Sequence, residues 1–206
     1  MKKENVKIQI DKPTGDKSND SNLASMERIQ LAGGIAKPTV KPKIHTNRLL
    51  LEWCCSDTSF FGMPSTDSKT CTVIRLTERE DMTTDDGYRF AQSAVNNSDK
   101  HNMVMIWVAI PCTGGSPWQN INKFLPGGEE RIQSHLKIFR SLWKRLTAFV
   151  DWIHSTGRKW RICVEWPKGC AYWNWKEVRA FLTKWNLQEV CFDGCAIGLK
   201  ARSGEL

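Results

Sequence analysis

The chain has 206 residues, 40% of them hydrophobic, and a formal net charge of +8. That length supports one domain with a proper core and leaves little room for a second, while the positive balance favours polyanions such as nucleic acid as partners. The opening Met1-Lys2-Lys3-Glu4-Asn5 has no secretory-type apolar run, and Met103 to Pro111 falls far short of the ~20 apolar residues of a bilayer span; an intracellular protein with no membrane partner and reduced cysteines is expected.

Residues 1–46 are rich in Lys, Asn, Asp, Ser, Gly and Pro, and only Val6, Ile8 and Ile10 alternate as in a strand. Such a stretch buries too little to offset its ordering entropy, so it reads as an extended, flexible basic tail. It is suited to lie along DNA, RNA, or a larger protein or ribonucleoprotein assembly. Residues 47–206 read as a single domain.

Within that domain Leu49 to Trp53 is a short apolar run followed by the polar turn Ser56-Asp57-Thr58-Ser59. Cys71 to Thr77 is β-branched and runs into the acidic residues Glu78, Glu80 and Asp81. Asp85 to Val95 predicts a helix capped by Thr84 or Asp85. Met103 to Ile110 is continuously apolar, the pattern of a strand buried on both faces. Glu129 to Ser155 predicts the longest helix, because Ile132, Leu136, Phe139, Trp143, Leu146, Val150 and Ile153 recur at steps of three and four. Lys137, Arg140, Lys144 and Arg145 fall off that stripe, toward solvent or a polyanion, and are candidate nucleic-acid contacts. Arg161 to Glu165 reads as a strand, Trp173 to Trp185 as a helix, and Glu189 to Phe192 as a last strand.

Strands alternating with helices predict an α/β domain with a mostly parallel sheet. The ends of Leu49–Trp53, Cys71–Thr77, Met103–Ile110 and Arg161–Glu165 are then expected on one rim, where open α/β sheets bind ligands. The chemistry-bearing residues cluster at those ends. Glu52, Cys54 and Ser56 follow the first, Glu78 and Asp81 the second, Ile110-Pro111-Cys112 the third, and Glu165-Trp166-Pro167 closes the fourth.

With these motifs in place the chain resembles S-adenosylmethionine-dependent methyltransferases, in particular the cytosine-C5 family, which carries Pro-Cys after one strand and a Glu after the next. The resemblance implies a Rossmann-like three-layer sandwich, S-adenosylmethionine as cofactor, and DNA or RNA as substrate. It implies that Cys112 attacks the base as a thiolate while Glu165 hydrogen-bonds it. It also implies that Glu52, Cys54, Ser56, Glu78 and Asp81 surround the cofactor, with an acidic side chain accepting the ribose hydroxyls. Glu165-Trp166-Pro167, Cys170-Ala171-Tyr172-Trp173 and Asp193-Gly194-Cys195 are also similar to methyltransferase-like segments of mobile-element polyproteins.

The same residues have plainer readings. Cys112 is then a small loop residue, Glu165 a hydrogen-bond partner for a buried Trp N–H, and the acidic cluster a solvated turn. Cys54, Cys55, Cys163 and Cys191 read as core residues, and no metal site is expected. On that basis the alternative is a non-catalytic, degenerate methyltransferase fold serving as a structural or RNA-binding component. The absence of glycine from Glu52 to Ser59 favours the alternative, whereas Cys112 and Glu165 favour catalysis.

Overall fold

The computed structural model describes residues 5–9, 48–62 and 71–193. The remainder of the expected tail, 1–4 and 10–46, lies outside the described residues, as does the Asp193-Gly194-Cys195 motif beyond Asp193.

Strands β1 (Asn5–Gln9), β2 (Arg48–Trp53), β3 (Cys71–Leu76), β4 (Met103–Val108), β5 (Trp160–Pro167) and β6 (Glu189–Asp193) form one six-stranded sheet in the order β3-β2-β4-β5-β1-β6. β3, β2, β4 and β5 are mutually parallel, and β1 runs antiparallel between β5 and β6. Set β1 aside, and the parallel strands read 2-1-3-4-5 in chain order, so the winding reverses between β2 and β4. The four expected ends do share one rim: Trp53 pairs with Leu76 and Val108, and Val108 with Val164.

The helices are α1 (Asp85–Asn97), the single turn α2 (Gln119–Asn122), α3 (Gly128–Ser155) and α4 (Lys176–Lys184). Thr84 caps α1 by accepting from the Gly87 amide. The helix predicted over Trp173–Trp185 starts later than expected, because Ala171–Asn174 forms a 3-10 turn and Trp175 is extended, with φ −72° and ψ 141°.

Right-handed crossovers explain which face the helices occupy. The connections β3→β4, β4→β5 and β5→β6 all travel the same way across the sheet and place α1, α3 and α4 together. Tyr88 meets Phe149, Trp143 meets Phe181, and Lys184 pairs with Asp151. Under them lie Leu49, Leu51, Trp53, Val104, Ile106, Val108, Ile162, Val164 and Trp166. The connection β2→β3 travels the other way, and Phe61 of the 3-10 turn Phe60–Gly62 packs on Trp107 of the opposite face.

Among the described residues no helix covers that opposite face. This shows an α/β domain with a mostly parallel sheet and flanking helices, of a generic Rossmann-like arrangement, but not the third layer of a sandwich. It also corrects the reading of β4 as buried on both faces. Val104, Ile106 and Val108 are buried, whereas Met103, Met105 and Trp107 between them are only half-buried. The tail boundary shifts as well, since Asn5–Gln9 is part of the sheet. No helix among the described residues is long and apolar enough to cross a membrane.

Candidate functional site at the carboxyl rim

The rim is built by the residues that end each strand. At the end of β2, Glu52 is 1% exposed on the face opposite the helices. The Ser59 hydroxyl donates to its Oε1, and Arg75 Nε lies 3.6 Å from its Oε2, an ion pair too long to be a hydrogen bond. Arg75 also donates to the Ser59 carbonyl at 2.5 Å, so the turn after β2 folds back over the sheet. Burial raises the Glu52 pKa against the opposing effects of Ser59 and Arg75. Ser59 and Arg75 were not foreseen, since two polar residues 7 and 23 positions from Glu52 give no local signal.

Cys54 adopts φ 62°, a left-handed conformation usually left to glycine, and packs against the core. Burial, with Cys55 and Asp81 nearby, pushes its thiol up to about 12. Burial and then Glu52 raise Cys55 to about 11. Both stay protonated at neutral pH and are poor nucleophiles. Ser56 is exposed, and its Oγ accepts from the Thr58 amide at 3.2 Å in a local turn.

The acidic group after β3 divides by role. Glu80 accepts from the amide and hydroxyl of Thr77, both at 2.7 Å, and closes the strand-end turn. Asp81, at φ 35°, accepts from the amide and hydroxyl of Thr83. Glu78 is exposed, and among the described residues it makes no hydrogen bond or ion pair.

Cys112 and Glu165 make their described contacts on opposite sides of the sheet end. The Glu165 side chain lies on the face opposite the helices and accepts from Trp107 Nε1 at 3.1 Å. Cys112 packs against the core on the helix side, beside Cys170 and Tyr172, whose ionisation it opposes. Trp166, next to Glu165, donates from Nε1 to the Ile110 carbonyl at 2.6 Å and staples the end of β5 to the residues after β4. Tyr172 stacks on Phe139 with ring centroids 3.6 Å apart and lies close under Gly114 and Gly115, where a Cβ would collide with it. Burial, first, pushes Cys170 up to about 12.

Of the basic residues on α3, Lys137 and Lys144 are exposed. Arg145 is committed to Asp85 at 2.6 Å and to the Tyr88 ring, while Arg140 lies over Trp175 at 5.1 Å. Among the described residues no group of three or more His, Cys, Asp or Glu side chains is placed to hold a metal ion.

No known family model, curated protein or solved structure matches the chain. The functional reading therefore rests on the rim itself.

Proposed function

We propose that the domain is a methyltransferase-like, Rossmann-type unit that holds S-adenosylmethionine at the carboxyl rim and acts on nucleic acid without a covalent Cys112 adduct. The observation that carries this reading is the reversal of winding between β2 and β4, with four parallel strand ends in register. In open α/β sheets that is where a ligand binds. When bound, the cofactor supplies an electrophilic methyl group on a sulfonium.

The residues at the rim fit such a ligand in part. Glu78, exposed just past β3, carries a carboxylate of the kind that accepts two ribose hydroxyls. Glu78 and Asp81 are exposed there, and although Arg79 pairs with Asp57 at 2.9 Å the acidic residues outnumber it, a balance that favours a cation. The turn after β2 has no glycine, but Cys54 supplies the left-handed conformation and turns its side chain into the core. Direct transfer needs no thiolate, in keeping with the Glu165–Trp107 bond, which already engages the carboxylate that a covalent mechanism would turn to the base.

A second reading, the non-catalytic module in a larger assembly, is favoured by a specific observation. The motifs behind the resemblance have structural partners: Glu165 with Trp107, Trp166 with the Ile110 carbonyl, Tyr172 with Phe139, and Trp173 with the Pro167 carbonyl. Calorimetric titration with S-adenosylmethionine separates the two. Saturable binding, weakened about tenfold or more by Glu78→Gln, supports the first, since tenfold corresponds to about 1.4 kcal/mol for lost charged hydrogen bonds. Absence of binding by the wild-type protein sinks it and leaves the second.

A further inference from the structure

We infer that the loops after β4 and β5 form a stacking platform for single-stranded nucleic acid, with Trp118 and Phe124 contacting bases and Lys123 and Lys168 contacting phosphates. This deepens the nucleic-acid reading and rests on it, though its test requires no cofactor.

Trp118 is 66% exposed and Phe124 80%, on a segment of eight residues that also exposes Ile121 and Leu125. Large aromatic side chains left in water at a ligand-binding rim call for a partner. The loop that carries them is pinned. Gln119 donates to the Thr113 carbonyl at 2.7 Å, and Gly128 sits so tightly beneath the Asn122 carbonyl that a Cβ there would collide with it. Pro117 packs on Gly169, 3.3 Å from where a Cβ would stand, so Trp118 leaves the surface beside the exposed Lys168.

Charge selects the occupant. The loops 109–128 and 166–176 contain Lys123, Lys168 and Lys176 and neither Asp nor Glu, the next acids along the chain being Glu129, Glu130 and Glu177 in the first turns of the helices that follow. The turns after β2 and β3 hold Asp57, Glu78, Glu80 and Asp81 against the single cation Arg79, which pairs with Asp57. The rim is thus divided, with an acidic side for a cationic ligand and a basic, aromatic side for a polyanion. Protein interfaces deplete their centres of charge, whereas here the ammonium of Lys123 lies over the Phe124 ring at 4.9 Å. Interleaved rings and cations match unpaired bases on a phosphate backbone; a duplex hides the base faces.

The test is fluorescence anisotropy with a labelled short oligodeoxythymidine and a duplex of equal length, without S-adenosylmethionine, over a range of salt. Trp118→Ala and Phe124→Ala are each expected to weaken strand binding by about fivefold or more, the low end of a stacking contact. Lys123→Ala with Lys168→Ala is expected to reduce the salt slope by about 1.4, two phosphate contacts' worth on a single strand. Trp118→Phe and Phe124→Tyr, which keep a ring, are expected to retain binding and guard against a folding artefact. Equal binding by wild type and a variant combining Trp118→Ala with Phe124→Ala overturns the platform while leaving nucleic-acid binding intact. So does self-association lost in that variant with strand binding unchanged, which assigns the patch to a second copy. Failure of the wild type to bind any strand at low salt overturns both this inference and the nucleic-acid reading.

Discussion

Glu165 and Trp166 are neighbours in sequence that point to opposite faces of β5, each making one hydrogen bond to the β4 side of the sheet. Alternation along a strand makes this division unavoidable, and it is why a nucleophile and a base contact placed one strand apart in sequence need not meet. Cys112→Ser is accordingly expected to retain any methyl transfer the wild type shows. Replacing a thiol packed against the core by a hydroxyl should cost about 1–3 kcal/mol of stability. Loss of transfer with an unchanged melting temperature would restore the covalent mechanism. Glu52 gives a prediction in pH. Its folded-state pKa lies above the ordinary 4.5 because of burial, so the folded protein binds the proton more tightly than the unfolded chain. The resulting stability is fully present below 4.5 and is lost as pH rises through the folded value. Glu52→Gln should flatten the fall in melting temperature over that window. An unchanged slope would show that Glu52 is hydrated and ionised.

At the scale of elements, the long helix shows what the sequence makes legible. The stripe read at steps of three and four is the buried face of α3, apart from the half-buried Leu136, and Leu142 and Phe149 widen it. Periodicity works here because one helix face meets one sheet face. β4 misled because an unbroken apolar run does not reveal how well its second face is covered, and that depends on crossovers elsewhere. The Trp173 boundary misled because its aromatic residues pack into a 3-10 turn rather than along a helix. The strand ends carrying the candidate site were legible, but the faces on which their side chains converge were not, because a Ser59 or Arg75 reaching Glu52 leaves no local pattern. Arg158 gives a prediction at this scale. Its guanidinium donates to the Ser98 hydroxyl and to the Ser98 and Asp99 carbonyls at 2.9–3.2 Å, tying the end of α1 to the start of the β5 segment. Arg158→Ala should cost about 1–3 kcal/mol, because it strands acceptors in a half-buried place, and should raise hydrogen exchange in the last turn of α1 first. Uniform exchange across the domain would show no local clamp.

At the scale of the whole molecule, the sheet depends on its first strand. Asn5–Gln9 lies between β5 and β6, so β6 reaches the sheet through a segment 180 or more positions earlier in the chain. A five-residue alternation in a polar stretch carries no sign of such distant partners, which is why it read as tail. Among the described residues β6 pairs with β1 alone, and its register from Asn5–Asp193 to Gln9–Glu189 spans all of both strands. Pairing at that sequence separation closes a very long loop, so it is slow to form and is expected late in folding, after the parallel strands have condensed under α3. Removing residues 1–9 would leave β5 with an unpaired edge and β6 without its ladder. The truncated protein should therefore keep the core of β2–β5 and α3, release β6 to rapid hydrogen exchange and proteolysis near Glu189, and tend to associate through the exposed edge of β5. A peptide spanning residues 1–9, added in excess, should reverse both effects by refilling the gap. If truncation leaves exchange in β6 unchanged, β6 has another partner, and Asn5–Gln9 belongs to the tail after all.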